Sequence, residues 1–213
     1  DILSQDFTKK TNKAVLTDYN TLMGVPSFIE KCNSLNVDPI IGVTITIGNS
    51  DVKDGNITLY AKNENGFKNL KLIVSSLSED RNKHKYTDID NIINNSEDII
   101  ALTGGHGTIS NNLLKNGDDA LFLKHIYNLQ KAFKDNLAFE IQVLPNVNNE
   151  EINSKIINVA KQLNLNVYAT NDQKMKRENH YPLLIEKIKE KRGVSNKTNE
   201  SISKEVISTQ YIK

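Results

Sequence analysis

The sequence has no tryptophan, one cysteine, four prolines and three arginines, Arg81, Arg177 and Arg192. A single cysteine excludes an intrachain disulfide framework and a four-cysteine zinc site. Phe28, Ile29 and Leu35 surround Cys32 at helical spacing, which reads as a packed helix residue rather than a reactive thiol. No uncharged apolar run approaches the roughly 18–20 residues that a membrane span requires. Asp1 to Lys13 also lacks the basic-then-apolar order of a signal peptide. These absences lead us to expect a soluble, cytoplasmic protein. Neither sign of charge prevails: 27 Lys and Arg against 26 Asp and Glu leave +1, so no strong field points at nucleic acid or an anionic membrane. The densest basic stretch, Lys187 to Arg192 after Lys174, Lys176 and Arg177, is interrupted by Glu178, Glu186 and Glu190. It reads as a solvated helix face with charge pairs, not as a DNA contact.

What is present is an alternation of short β-branched segments with longer helical patterns, on a chain long enough to bury a core. Strands are expected over 14–18, 39–47, 56–61, 98–103, 137–143 and 166–172, with a turn from Gly48 to Gly55. Helical periodicity marks 24–36, 67–77, 121–133, 150–163 and 183–191. Strands separated mostly by crossover-length helices predict an α/β fold with a mainly parallel sheet or barrel. From Gly193 the chain turns rich in Ser, Asn and Lys, so residues 1–192 are expected to form one domain and 193–213 a polar tail.

In such folds the working groups sit at strand C-termini. Those ends offer Asp18, Tyr19, Thr44, Thr46, Thr103, His106, Gln142, Asn171 and Asp172, a polar mouth that a solvated loop rim explains better than a built site does. Gly104-Gly-His-Gly107 has the composition of a phosphate-cradling turn, but it lacks the Walker ending and the dinucleotide spacing. A tight turn needing positive φ accounts for it as well. The four histidines, His84, His106, His125 and His180, form no close pair. His106 is a cleft candidate for general base, with no orienting partner evident in sequence.

The order of several blocks is more specific than any one of them. Leu16-Thr-Asp-Tyr-Asn-Thr-Leu-Met-Gly-Val25, Asp38-Pro-Ile-Ile-Gly-Val43, Leu59-Tyr-Ala-Lys-Asn-Glu-Asn-Gly-Phe-Lys-Asn-Leu70, Ile99-Ile-Ala-Leu-Thr-Gly-Gly105 and Val167-Tyr-Ala-Thr-Asn-Asp172 resemble the PHP (polymerase and histidinol phosphatase) domain of bacterial DNA polymerase III alpha subunits. The resemblance runs from about Ala14 to Asp172, with a weaker match at Gln210 to Lys213. It implies a distorted (β/α)7 barrel with the first strand missing from this sequence, within a longer nucleotidyltransferase chain that serves DNA replication. It also implies Mg for that parent polymerase, and the remainder of the chain and a proofreading exonuclease subunit as partners.

Metal-binding members carry a His-x-His pair on a first strand, which this sequence does not contain. Their Thr-Asp-His reads Thr17-Asp18-Tyr19, and the glutamate after Ile-Ile-Gly-Val is Thr44. The histidine opening the next strand is Asn56, and the one after Thr-Asn-Asp is Lys174. Of the implied ligands only Asp18 and Asp172 remain, too few to hold a metal cluster. The expectation is a degenerate, metal-free module, not itself catalytic, that braces a polymerase and binds DNA weakly on its own. The alternatives are a metal-dependent phosphoesterase or proofreading nuclease on the same barrel, and an independent small-molecule-binding barrel.

Overall fold

The computed structural model describes residues 12–49, 52–77, 86–142 and 149–170. The expected helix at 183–191 and the tail from 193 lie outside them. Six strands form one curled sheet in sequential order: β1 (Lys13–Tyr19), β2 (Asp38–Asn49), β3 (Val52–Ala61), β4 (Ile99–Thr103), β5 (Leu137–Ile141) and β6 (Asn166–Ala169). Six helices connect them: α1 (Val25–Ser34), α2 (Glu64–Ser75), α3 (Ile89–Asn94), α4 (Ile109–Lys115), α5 (Asp119–Phe133) and α6 (Glu150–Leu163). A 3-10 turn, Lys134–Asn136, joins α5 to β5.

The sheet is mixed. β1, β2, β4, β5 and β6 share one direction, whereas β3 runs antiparallel to both neighbours. The expected turn from Gly48 to Gly55 is mostly strand: β2 runs to Asn49 and β3 starts at Val52. Antiparallel strands need only a hairpin, so this pair dispenses with a crossover helix. A register slip between Ile47 and Gly48 absorbs the irregularity that the glycine signals in sequence. Two short helices, α3 and α4, were not expected; six and seven residues are too few for a 3.6-residue period to show.

Alternation along the strands divides the sheet into two unlike faces. Val43, Ile45, Ile47, Ile57, Leu59, Ile99, Ala101, Leu137 and Phe139 form the core with Leu70 and Ile73 of α2, Phe122, Ile126, Leu129 and Phe133 of α5, and Ile156 and Ala160 of α6. The rings of Phe122 and Phe139 stack with centroids 6.2 Å apart. A smaller cluster, Ala14, Cys32 and Val37 with Phe28, seats α1 beside β1 and buries Cys32 completely, as the periodicity around it requires.

The opposite, inner face carries Leu102 and Ala138 but also a run of polar residues. Register places Tyr19 beside Thr44, Thr44 beside Thr58, Thr46 beside Asn56 and Glu140 beside Tyr168. The block from Ala61 to Leu70 lies elsewhere and holds the scaffold together. Asn63 caps α2 by accepting the Gly66 N–H at 3.0 Å, and the Lys62 N–H donates to the Asp98 carbonyl at 2.9 Å. A Cβ at Gly66 would collide with that same carbonyl, so only glycine lets α2 approach the Asp98 turn. Asn65 donates to Asp98 at 2.9 Å; this bond first, then Asn63 and the Lys62 charge, holds the Asp98 carboxyl below its usual range.

Candidate functional site

The inner face is built from every second residue of β1, β2, β3 and β5, and its polar groups are mostly bonded to one another. Asn20 locks the end of β1 onto β2: its Nδ2 donates to Thr46 Oγ1 at 2.9 Å, and its Oδ1 accepts the Thr46 N–H at 2.8 Å. The Thr44 and Thr58 hydroxyls pair at 3.2 Å. Asn56 donates its backbone N–H to Gly107 at 2.9 Å, but its Oδ1 is buried without a partner.

The register therefore sets Tyr19, Thr44 and Asn56 on one face, Tyr19 beside Thr44 and Asn56 beside Thr46, the next inner-face residue of β2. Asp18 is not with them. It pairs in register with Val43, whose side chain is in the core, so alternation sends the two neighbours Asp18 and Tyr19 to opposite faces. The Asp18 carboxylate lies against the start of α1, where a Cβ on Gly24 would fall 2.6 Å from its Oδ2. Asn171, Asp172, Lys174, His84 and His180 lie outside the described residues.

Three N–H groups of the glycine turn and its exit are directed into the protein. Gly104 donates its N–H to Thr108 Oγ1 at 3.1 Å, His106 to Gln142 Oε1 at 3.1 Å and Thr108 to the Gly105 carbonyl at 3.1 Å. These donors are spent inside the protein. Gly104 and Gly107 adopt φ of 105° and 81°, so the tight-turn reading of this segment is the one the geometry supports. The turn leads into α4, which Thr108 caps by accepting the Asn111 N–H at 3.2 Å.

His106 is exposed on that turn. Desolvation, and then the Lys115 charge, hold its imidazole below the ordinary value. His125 sits apart on α5, where burial lowers its pKa to about 4. Thr103 is also off the inner face, its hydroxyl paired with Ser110 at 2.7 Å.

Glu140 is a residue that sequence reasoning missed. It is only 8% exposed, and its Oε2 accepts from Thr170 Oγ1 at 2.7 Å. Gln142 Nε2 donates in turn to Thr170 Oγ1 at 3.4 Å. Burial, and then the Glu140 charge, raise the Tyr60 phenol to about 12. The signal was present: a carboxylate between Phe139 and Ile141 in an apolar strand has to face away from the core.

Among the described residues no three His, Cys, Asp or Glu side chains gather closely enough to hold a metal ion. Tyr19, Thr44 and Asn56 offer a phenol, a hydroxyl and a carboxamide. That donor set does not fit the multi-metal centre that the sequence resemblance implies for metal-binding relatives.

A curled α/β half-barrel with polar groups gathered on its inner face places the molecule among barrel-type α/β domains. The PHP domain family matches residues 3–143, and the chain belongs to that family. It is 31% identical over 162 residues to the DNA polymerase III subunit alpha of Vibrio cholerae, covering 74% of this chain. The subunits of the same name from Buchnera aphidicola subsp. Schizaphis graminum and Bacillus subtilis are 30% and 26% identical over 165 and 167 residues. The chain spans 14% of the length of each of these three relatives. No helix among the described residues is long and apolar enough to cross a membrane.

Proposed function

We propose that this chain is the N-terminal PHP domain of a replicative DNA polymerase III alpha subunit, and that it has exchanged metal-dependent hydrolysis for a structural and docking role. One observation carries this reading. Tyr19, Thr44 and Asn56, where the resemblance calls for His, Glu and His, share the inner face, and Thr44 is already bonded to Thr58. Without a bound metal nothing there lowers the pKa of water to supply a nucleophile near neutral pH. His106 could act as a base, but no described residue bonds to its ring to orient it.

On this reading the sheet belongs to a distorted (β/α)7 barrel, with a strand ahead of β1 completing it. Its partners are the remainder of the polymerase chain, reached through residues 193–213, and a proofreading exonuclease subunit. Mg is then required by the polymerase centre elsewhere in the parent chain, in the cytoplasm, and not by this domain. The near-balance of charge, +1 overall, supports weak, non-specific DNA binding by the domain alone.

The test is hydrolysis. Incubated with Mn, Zn or Mg, the protein should release no phosphate from a phosphate monoester and no nucleotide from a DNA 3′ end. Metal-dependent turnover that is lost in Asn56→Ala but retained in an exposed control such as Leu72→Ala would refute the reading.

A further inference from the structure

We propose that the outward face of α5 is a docking surface for an acidic amphipathic helix of a partner protein. The inference does not depend on the polymerase reading, because α5 covers the helical side of the sheet, opposite Tyr19, Thr44 and Asn56.

One side of α5 is fully used by the core. Phe122, Ile126, Leu129 and Phe133 recur at three- and four-residue spacing and are buried. On the opposite side Ala120, Lys124, Tyr127 and Lys131 recur with the same period, and all four are exposed. Tyr127 is 57% exposed, and Leu121 and Leu123, on the two flanks of this stripe, are 54% and 37% exposed. Single exposed leucines are ordinary, but a group of them beside an aromatic ring within two helical turns makes a contact surface. The helix that presents it is held firmly. Asp119 at its start meets Lys155 of α6 at 3.3 Å, and Gln130 near its end donates to the Leu163 carbonyl at 3.1 Å.

Charge selects the occupant. Tyr127 stands between Lys124, three residues before it, and Lys131, four residues after it. Within α5 no Asp or Glu lies three or four residues from either lysine, and neither forms an ion pair among the described residues. The carboxylates of Asp119 and Glu151, by contrast, are both engaged by Lys155, at 3.3 and 3.8 Å. The charge left unspent around the exposed apolar side chains is therefore positive. A second copy related by a two-fold axis at Tyr127 would set lysine against lysine. Nucleic acid would leave Leu121 and Leu123 uncovered, and two lysines without an arginine grip phosphate poorly. An acidic amphipathic helix meets every feature. Lys124 and Lys131 are seven residues apart, about 10 Å along the axis. Carboxylates at i and i+7 of a facing helix span the same distance, and apolar residues at i+3 and i+4 then fall over Tyr127 and its leucine neighbours.

The probe is a fluorescein-labelled, alanine-based helical peptide with Glu at i and i+7 and Leu at i+3 and i+4, titrated with the intact protein and followed by anisotropy. A peptide with Lys in place of Glu is the control. The Glu peptide should bind with a dissociation constant on the order of 100 μM, as suits a face of this size, and the Lys peptide at least about tenfold more weakly. Combining Lys124→Glu with Lys131→Glu should reverse that preference. Tyr127→Ala should weaken the Glu peptide about tenfold, whereas Lys68→Glu, at an exposed position of α2, should leave it unchanged. All these positions are exposed, so the variants should keep the urea midpoint of the intact protein. Four results would overturn the proposal. The first is no anisotropy change up to roughly 1 mM, and the second is a preference for Glu that survives the paired lysine substitution. The third is displacement of the Glu peptide by an equally charged oligonucleotide at lower concentration, which would make the face a nucleic-acid contact. The fourth is self-association of the protein that Tyr127→Ala abolishes, which would give the face to a second copy.

Discussion

The two faces of the sheet are written in the same strands, one residue out of phase, and they do different work. Val43, Ile45 and Ile47 of β2 are buried under the helices, while the intervening Thr44 and Thr46 look inward and bond to β3 and to Asn20. The helix-covered face supplies stability through apolar area removed from water. The inner face contributes little of that, and its groups are arranged for hydrogen bonding. On the proposed reading, an inner-face position can change chemistry without loss of the fold, because the core lies on the other face.

Breaking the comparison on its apolar side should have the largest effect. Phe139→Ala removes a buried ring stacked on Phe122 and should cost about 3–5 kcal/mol. Thr46→Val, one layer away on the inner face, should cost only about 1 kcal/mol, the worth of one hydrogen bond. Urea unfolding of the two variants decides this; equal losses would mean that the inner face carries core-like energy.

A smaller effect comes from a group enclosed on the helical side. His125 has a folded pKa of about 4 against the ordinary 6.5, because burial disfavours its charged form. Between those values the unfolded chain binds a proton that the folded protein does not. Stability is therefore fully present above pH 6.5 and declines as pH falls toward 4, by roughly 2–3 kcal/mol. His125→Leu should flatten that part of the urea-midpoint profile, and an unchanged slope would place the pH dependence elsewhere.

Much of this division was legible in the sequence, and what was not has physical reasons. The β-branched run from Pro39 to Ile47 and the helical faces of α5 and α6 identify themselves by period. The β2–β3 hairpin did not, because Gly48 and Gly55 read as turn residues. In the structure Gly48 sits at a register slip, and Gly55 is small because the backbone at Thr108 and Ile109 packs against it. For the site, the order of the blocks named Tyr19, Thr44 and Asn56, and the register puts all three on one face of the sheet. Asp18 was grouped with them as a strand-end residue, although adjacent positions on a strand point to opposite faces. Glu140 was overlooked because it falls inside a strand rather than at an end. Applied to each strand, the same parity would have separated Asp18 from the site and added Glu140 to it.

The central claim is that the inner face keeps the positions of a metal centre but no longer its ligands. Zinc titration of the intact protein, beside a variant carrying Tyr19→His, Thr44→Glu and Asn56→His, tests it most directly. The register puts these three positions on adjacent strands, Tyr19 opposite Thr44 and Asn56 one step along from Thr58. The account predicts no stoichiometric zinc in the intact protein and tight binding, on the order of one ion per chain, in the variant, since ligand type and count set affinity. Stoichiometric, tight zinc in the intact protein would contradict it.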